Sequence, residues 1–501
     1  MKNRDGAKLV LGGKMRVLCF MLVMMSAALA SAQPQGPDTL WTREYPELYP
    51  FYPFAAISTP DGGFAWAGGF FPDNPDSFDG GLVKMDSSGI VQWVRRFGSP
   101  RASEHVFDGI RTRDGGFFLA GDDSEIDSGL VGSLVVKYDS VGDSAWSRPF
   151  QIEGDSPHIV AAIEAQDGNL VLGGTLEGMP VFVWLTPDGQ FIRYRSYMPW
   201  GPWPTWVRGI TETAAGNIAM VGEFQDLGSG SLHLYACCIY ANANGDTLWT
   251  RKYNYPPGID RTAFYSVLPV DENNLIVSGA WEEVSNHSHY GLFKISERGD
   301  TLWTRACDIP NFYTGFDPLS HMEGDSHGGF VVATSAVSGI SGIEYGLLFK
   351  VDRVGTMQWN WLYGRYGEDN FSRSVCLAHD GGLIWVLENP PFCRVVRLRS
   401  DTSPVSPKSQ WSFAKDFQLS DIYPNPFNST TTIALEVPLG VDKVELVTYN
   451  VLGQMVRSQE KAVRVGTMRF VYDAGDLATG IYLLRATAGR FSSTQKIMVL
   501  K

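Results

Sequence analysis

The chain repeats one short pattern seven times, and this repetition restricts the fold more than any other feature. Each copy begins with turn-forming residues and continues into an apolar run rich in Phe, Val, Leu and Ile, which predicts a hairpin turn followed by a buried β-strand. Glycine supplies the positive φ of such a turn, and we expect Asn169, Asn217 and Asn274 to adopt it where the second glycine is missing. The copies are DGGFAWAGG (61–69), DGGFFLAGD (114–122), DGNLVLGGT (167–175), AGNIAMVGE (215–223), ENNLIVSGA (272–280), HGGFVVATS (327–335) and DGGLIWVLE (380–388).

A second pattern follows most of these copies. It consists of a strand, an Asp/Asn/Gly turn and a further strand that carries tryptophan four residues after the turn glycine. Arg193 occupies the tryptophan position in the third repeat. With a short strand before each turn of the first pattern, every unit has four antiparallel strands, as in the blade of a β-propeller. The tryptophans are Trp93, Trp146, Trp249, Trp303 and Trp359.

The hexapeptide DTLWTR places the two ends of the repeat array together. It occurs at 38–43, before the first unit, and returns at 246–251 and 300–305 as the outer strand of a unit. The seventh unit ends at 395–409 without such a strand. Because a closed ring leaves no exposed strand edge, we predict that the N-terminal strand completes the seventh blade. The expected fold is all-β, a seven-bladed β-propeller over 38–400 with Trp41 in the sheet of Val395–Leu398.

The units also resemble a family of bacterial surface propellers with repeats of the form DGGY-x-x-x-G and K-x-D-x-x-G-x-x-x-W. This resemblance covers about 38–400. It implies the propeller fold and leaves the function open, since propellers carry many activities.

The N-terminus has the pattern of a secretory signal peptide. Five basic residues precede the apolar run 17–30, which Ala30-Ser31-Ala32 follows. We expect cleavage after Ala32, so 1–32 is the signal peptide; the alternative, a membrane anchor, requires about 20 apolar residues. Cleavage changes the net charge from −13 to −17. This charge excludes nucleic acid and anionic membrane as expected partners, and no transmembrane segment is expected after cleavage.

The tail differs from the repeats. A linker with Pro and Ser is expected over 401–416, and alternating strands over 417–501 predict a small Ig-like β-sandwich. Four separated motifs follow one another in this segment: YPNPFN (423–428), YNVLG (449–453), GIY (480–482) and KIMVLK (496–501). With these motifs the tail resembles the type A C-terminal sorting domain of the type IX (Por) secretion system. The resemblance implies export through the periplasm, the type IX machinery as partner, and a protein secreted or attached to the outer membrane or cell surface. An ordinary Ig-like accessory module is the alternative. The motif residues are Tyr423, Pro424, Asn425, Pro426, Phe427, Asn428, Gly453, Gly480, Tyr482 and Lys496.

Cysteines and acidic residues give little indication of a bound metal. The mature chain has five scattered cysteines, of which Cys376 and Cys393 fall in one repeat; they either pair or remain buried thiols. The acidic stretches 73–79 and 122–127 are weak candidates for Ca²⁺ because neither has EF-hand spacing. No cofactor and no metal site are predicted.

The candidate binding residues are aromatic. Short uniform turns share one face of the propeller, whereas long variable loops share the other, where binding residues are expected. Aromatic rings in these loops provide stacking platforms for sugar rings or peptide, unless they only pack their own proline-rich loops. The candidates are Tyr49, Tyr52, Trp200, Trp203, Trp206, Tyr255 and Tyr313.

The sequence therefore predicts an exported propeller that binds glycan or protein. The eight histidines are scattered, and no nucleophile elbow, zinc-protease or phosphate-loop motif is present. No catalytic residue is assigned. Two alternatives remain: a secreted polysaccharide-degrading enzyme with carboxylates near the central channel, and a structural surface or adhesin module.

Overall fold

The computed structural model describes most of the chain beyond the N-terminal region, and this part is an all-β protein. The predicted signal peptide and linker lie outside the described residues. Among these residues the helical structure is one 3-10 turn, Pro46–Leu48, and no helix has the length and apolarity needed to cross a membrane. The described residues are 37–48, 51–70, 78–98, 102–125, 131–201, 204–226, 233–255, 261–271, 274–282, 288–307, 309, 312–313, 320–325, 328–338, 342–364, 369–390, 392–400, 418–437, 443–463, 466–488 and 491–501.

In the described part of the chain the repeats form seven groups of antiparallel strands, called blades 1 to 7 below, of which blades 4 and 5 belong to one eight-stranded sheet. Blades 1 to 3 are β2 (Phe51–Ser58), β3 (Phe64–Phe70), β4 (Asp79–Met85) and β5 (Val91–Phe97); β6 (Ala102–Arg111), β7 (Phe117–Glu125), β8 (Val131–Tyr138) and β9 (Ser144–Phe150); and β10 (His158–Glu164), β11 (Leu170–Leu176), β12 (Met179–Leu185) and β13 (Phe191–Ser196).

Blades 4 and 5 are linked by one parallel bridge, Leu234 to Arg261. Blade 4 is β14 (Thr205–Glu212), β15 (Ile218–Asp226), β16 (His233–Ala241) and β17 (Thr247–Tyr253). Blade 5 is β18 (Arg261–Val270), β19 (Asn274–Glu282), β20 (Ser288–Ile295) and β21 (Thr301–Ala306). Blade 6 is β22 (Phe312–Tyr313), β23 (His321–Gly324), β24 (Phe330–Ser338), β25 (Glu344–Val351) and β26 (Met357–Tyr363).

Blade 7 is completed by the first strand of the chain. Its strands are β27 (Phe371–Leu377), β28 (Leu383–Asn389), β29 (Phe392–Leu398) and β1 (Thr39–Tyr45), in that order. β1 pairs antiparallel with β29, and Trp41 lies opposite Arg397. The predicted position of Trp41 is confirmed, and the exposed edge that β29 would otherwise present is covered.

The first strand of each blade lies innermost. Each of these strands contacts the first strands of the blades before and after it, and β27 contacts β2, so the series closes into a cycle. Antiparallel connection then places the two hairpin turns of a blade on one face and its longer loops on the other. The β-propeller predicted from the sequence is confirmed by this topology.

The recurring tryptophan joins one blade to the next. A Cβ atom added to Gly142 would lie 2.8 Å from Trp93 of the preceding blade, and one added to Gly355 would lie 2.8 Å from Trp303. Trp41 of β1 covers Gly89 of blade 1 in the same way. The indoles of Trp41, Trp93, Trp146, Trp249 and Trp303 therefore pack on the turn glycine of the following blade, which explains why both residues recur at a fixed spacing.

Blade 3 keeps this contact although its sequence departs from the pattern. Arg193 occupies the tryptophan position and pairs across the hairpin with Trp184, which stands where blade 1 has Lys84. Trp184 contacts Gly245 of blade 4, and the Arg193 guanidinium lies 4.4 Å from the Trp184 ring centroid. Cation and indole have exchanged strands, so the interblade contact is kept with a cation–π pair.

The turns explain the remaining motif residues. Lys84 binds Asp61 of the first turn at 2.8 Å, and Lys137 binds Asp114 at 2.8 Å. Positive φ occurs at the first glycine of the pattern, for example 86° at Gly168. The expectation that Asn169 and Asn217 take a left-handed conformation is wrong, because Gly168 and Gly216 already supply the positive φ of the turn.

Of the two alternatives for Cys376 and Cys393, a disulfide or buried thiols, the structure shows buried thiols. All five described cysteines are buried and free. Cys376 lies on β27 and Cys393 on β29, with β28 between them.

The tail is a sandwich of two antiparallel sheets, as predicted. Its core contains Leu419 and Ile433 from one sheet and Leu446 and Leu484 from the other. The first sheet is β30 (Gln418–Tyr423), β31 (Thr430–Val437) and β34 (Gly466–Asp473); the second is β33 (Met455–Ala462), β32 (Lys443–Asn450), β35 (Gly480–Ala488) and β36 (Phe491–Val499).

Candidate functional site

Among the described residues, a β-bulge near the start of the first strand recurs in six blades. In β6, for example, the pairing with β7 skips Phe107, between Val106 and Asp108. A bulge changes the direction of the side chain and bends the strand. Because first strands are innermost, the bulges lie around the axis, at the loop-bearing end. The skipped residues are Phe54, Phe107, Val160, Arg208, Tyr265 and Arg373.

The residue two positions before each bulge is aromatic in five blades. These residues pair with equivalent positions of the second strands, so they occupy one level of the propeller. We call this level, together with the bulge residues, the channel mouth. The five rings are Tyr52, His105, His158, Trp206 and Phe371.

Contacts between blades 1, 2 and 3 show that the channel mouth is continuous there. The ring centroids of Phe54 and Phe107 are 5.9 Å apart, and those of Phe107 and His158 are 5.0 Å apart. His105 stacks on Phe107 at 6.0 Å. Three blades thus present one apolar surface edged by imidazole rings.

A carboxylate orients one of these imidazoles. Asp122 is buried, and its Oδ2 atom contacts Nδ1 of His158. Its Oδ1 atom accepts the amide hydrogen of Ile159 at 3.3 Å. The side chain of His158 is 46% exposed, so part of the imidazole faces solvent. Burial lowers the pKa of His105, as does nearby His158, while Asp122 opposes the change.

Two blades place an arginine at the bulge, and each is held by a glutamate of the second strand. Arg208 binds Glu223 at 2.5 Å, and Nε of Arg373 binds Glu388 at 2.7 Å. Both glutamates are buried. Fixed guanidinium groups beside exposed rings present several N–H donors in a defined orientation.

Two carboxyl groups lie farther along the first strands. Asp108 accepts the amide hydrogen of Ala162 from the next blade at 2.8 Å, and burial raises its pKa to about 6. Burial raises the pKa of Glu323 to about 7. Asp108 therefore connects two blades, whereas Glu323 lies on the first strand of blade 6 and has a pKa suited to acid–base chemistry.

The predicted aromatic residues separate into two groups. Tyr52 and Trp206 belong to the channel mouth, and Trp206 is 37% exposed. Trp200 packs on Phe224 at 5.4 Å, and Tyr255 packs edge-on against Trp281 at 5.0 Å.

The side chains of the other three candidate aromatic residues lie outside the described part of the chain. Tyr313 pairs with Val337, but its side chain, like Tyr49 and Trp203, lies outside the described residues. Of the acidic stretches considered for Ca²⁺, 73–77 and 126–127 also lie outside. Within the described ranges, three or more His, Cys, Asp or Glu residues do not gather in a metal-binding arrangement.

In the tail, the opening motif binds the last strand. The Asn425 side chain donates to the carbonyl of Lys496 at 2.9 Å and accepts the amide hydrogen of Met498 at 2.8 Å. Phe427 is buried in the core, and its amide donates to the Met498 carbonyl at 3.0 Å. Pro424 accepts a hydrogen bond from Thr431, while Pro426 and Asn428 are exposed.

The middle motifs form a hairpin turn and a strand start. Gly453 has a φ of 76°, and Asn450 accepts the amide hydrogens of Leu452 and Gln454. Gly480 begins β35, and the Tyr482 hydroxyl donates to the Ala478 carbonyl at 2.9 Å. The side chain of Tyr423 lies outside the described residues.

Residues 421–500 match the secretion system C-terminal sorting domain. This domain marks a protein of the type IX secretion route, so the protein is secreted or attached to the cell surface. No curated protein matches the sequence.

The solved structures that resemble the chain are distant. A protein of unknown function from Bacteroides caccae is 13% identical, with coverage of 56% of this chain and 89% of that one and a TM-score of 0.36. Virginiamycin B lyase from Staphylococcus aureus is 10% identical, with 69% and 94% covered and a TM-score of 0.41. The BP39L lectin from Burkholderia pseudomallei is 9% identical, with 68% and 96% covered and a TM-score of 0.43. These scores lie below 0.5, so the fold rests on the strand topology of this chain.

Proposed function

We propose that this protein is a type IX-exported propeller, made with a cleaved signal peptide, whose channel mouth binds a glycan. The observation that carries the proposal is the repeated placement of aromatic rings at one level of the first strands. Tyr52, His158 and Trp206 come from three blades and remain partly or largely exposed. Partly exposed rings at the loop-bearing end of a rigid scaffold are suited to stacking on sugar rings.

The polar groups beside these rings favour a hydroxyl-rich ligand. The imidazole of His158 is oriented by Asp122, and the guanidinium groups of Arg208 and Arg373 are held by glutamates. Groups fixed in this way form hydrogen bonds with little loss of conformational entropy. Sugar hydroxyls both donate and accept hydrogen bonds, so imidazole, carboxylate and guanidinium groups suit them.

A glycan array probed with the mature full chain tests this proposal. We expect binding that Trp206→Ala and His158→Ala each weaken by about tenfold or more, as removal of a central aromatic contact does. Phe191→Ala is the matched control, because Phe191 is 51% exposed but begins β13, next to a turn on the opposite face. Binding that Phe191→Ala weakens as much as Trp206→Ala would overturn the assignment, as would binding of proteins alone.

A polysaccharide-cleaving activity is the second candidate, and Glu323 is the observation that favours it. A carboxyl group with a pKa of about 7 is protonated at neutral pH to a useful extent and can act as a general acid. Incubation of the protein with the glycans that it binds, followed by reducing-end measurement, decides between the two. Turnover that Glu323→Gln abolishes supports the enzyme, whereas binding without new reducing ends supports the binding module.

A further inference from the structure

The sorting domain exposes apolar side chains that its own fold does not use. Val451 and Leu452 form the tip of the β32–β33 hairpin and are 75% and 78% exposed. Turn positions ordinarily carry polar residues. Two adjacent aliphatic side chains at a tip therefore place apolar surface in water with no gain within the domain.

The tip continues onto the outer face of the larger sheet. Tyr449 lies opposite Met455 on one side and Leu483 on the other, so the three form a row across three strands. Met455 is 64% exposed and Leu483 is 44% exposed. Ile481 extends the row along β35 and is 41% exposed. We call these side chains, with Val451 and Leu452, the apolar patch.

The sorting motifs thus contain residues of two kinds. Asn450, Gly453 and Tyr482 serve the fold, through a turn, a positive φ and a hydrogen bond inside the domain. Val451 and Leu452, from the same motif as Asn450, point to solvent. Folding explains the first kind but not the second, and a contiguous exposed apolar surface is typical of a binding site.

A cation lies at the edge of the apolar patch. Lys496 pairs across strands with Leu483, is exposed, and has no ion-pair partner among the described residues. The ammonium group favours a partner whose apolar surface carries an acidic residue at its edge.

We propose that the apolar patch is the surface by which the secretion apparatus holds this protein during export. The occupant is a component of the type IX machinery with an apolar surface and an acidic edge. The match of residues 421–500 to a sorting domain is what selects this occupant over others, since sorting requires that the domain be recognised. The proposal rests on the export part of the proposed function and is independent of what the propeller binds.

Export of the full chain by a bacterium with the type IX system provides the test. We expect Val451→Ser/Leu452→Ser to lower the secreted or surface-attached fraction about tenfold, with the precursor retained in the periplasm. Leu248→Ser/Leu302→Ser is the matched control, since these propeller leucines are 51% and 53% exposed. It should be exported as the unchanged protein is.

Three measurements distinguish the loss of a docking surface from misfolding of the domain. An unchanged melting temperature of the purified double variant shows that the domain still folds, and intact glycan binding shows that the propeller is unaffected. A photo-crosslinking residue in place of Leu452 should join the chain to an outer-membrane component of the apparatus. Normal export of the variant would overturn the proposal, as would crosslinks only to a second copy of the chain.

Discussion

The hydroxyl of Tyr45 donates a hydrogen bond to the carbonyl oxygen of Gly89 at 2.7 Å. Tyr45 ends the first strand of the chain, which belongs to blade 7, whereas Gly89 is a turn residue of blade 1. Tyr197 and Tyr253 make the same bond to Gly245 and Gly299, between blades that follow one another in the chain. The junction that closes the ring therefore repeats an ordinary contact between neighbouring blades.

Because the bonds are equivalent, we expect Tyr45→Phe and Tyr253→Phe to reduce the free energy of unfolding by similar amounts. Each removes one buried hydrogen bond, which contributes about 1 kcal/mol. Urea unfolding followed by tryptophan fluorescence measures both. A loss confined to Tyr253→Phe would show that the closing junction is not formed in solution.

The turn glycines provide a test of backbone strain. Gly168 has a φ of 86°, and a Cβ atom added there meets nothing within 4 Å. Gly168→Ala should therefore destabilise the folded protein through backbone strain alone, by about 1 kcal/mol. Gly324→Ala is the control, since a Cβ at Gly324 is equally unobstructed but its φ is not positive. Equal effects of the two substitutions in chemical denaturation would contradict this account of the turn.

The difference in burial between Trp184 and Trp206 predicts opposite results for the two tryptophans. Trp184 is buried at 2% exposure, so Trp184→Ala should cost about 3–5 kcal/mol. Trp206 is 37% exposed, so Trp206→Ala should change the free energy of unfolding little but should weaken ligand binding. Thermal unfolding and a binding titration on both variants check the pair. A stability loss from Trp206→Ala as large as that from Trp184→Ala would remove Trp206 from the candidate site.

The turn ion pairs predict a dependence of stability on acid. Burial alone would raise the pKa of Asp114, but hydrogen bonds from Lys137, Thr112 and the Gly116 amide lower it to about 2. A carboxyl group whose pKa is lower in the folded protein stabilises it above the unfolded pKa, near 4, and loses that effect as the pH falls toward 2.

Lys137→Met isolates this contribution. The variant should be less stable than the unchanged protein at pH 6, and the difference should shrink between about pH 4 and pH 2. Urea midpoints measured across this range provide the readout. A difference that stays constant down to pH 2 would mean that the pair does not lower the pKa of Asp114.

The repeat pattern was sufficient to predict the strands, the propeller and the position of Trp41, because each depends on local periodicity and on counting strands. The tail was predicted for a similar reason, since its motifs fix turns and strand starts. The channel mouth was only partly predicted. Tyr52 and Trp206 stood out as aromatic, but His105, His158 and Phe371 did not, because their common level depends on a bulge that shifts pairing by one residue.

Other features depend on contacts between distant residues. Trp184 replaces the missing tryptophan of blade 3 from the neighbouring strand, and the cross-strand pairing with Arg193 reveals it. The sequence alone does not predict the apolar patch, because Val451 and Leu452 look like ordinary residues of a sorting motif. Their exposure, which no periodicity indicates, separates them from Asn450 and Gly453.

Closure of the ring by the first strand is the central claim, and an engineered disulfide tests it most directly. Thr42 and Val396 are paired on β1 and β29, and paired antiparallel residues have Cα atoms about 4.5–5.5 Å apart, within reach of a disulfide. Thr42→Cys/Val396→Cys should form a crosslink, mapped by mass spectrometry, that raises the melting temperature relative to the reduced protein. Thr42→Cys/Thr250→Cys, with the second cysteine on the outer strand of blade 4, should form none. Failure of the Thr42→Cys/Val396→Cys variant to crosslink under oxidising conditions would contradict the closed ring.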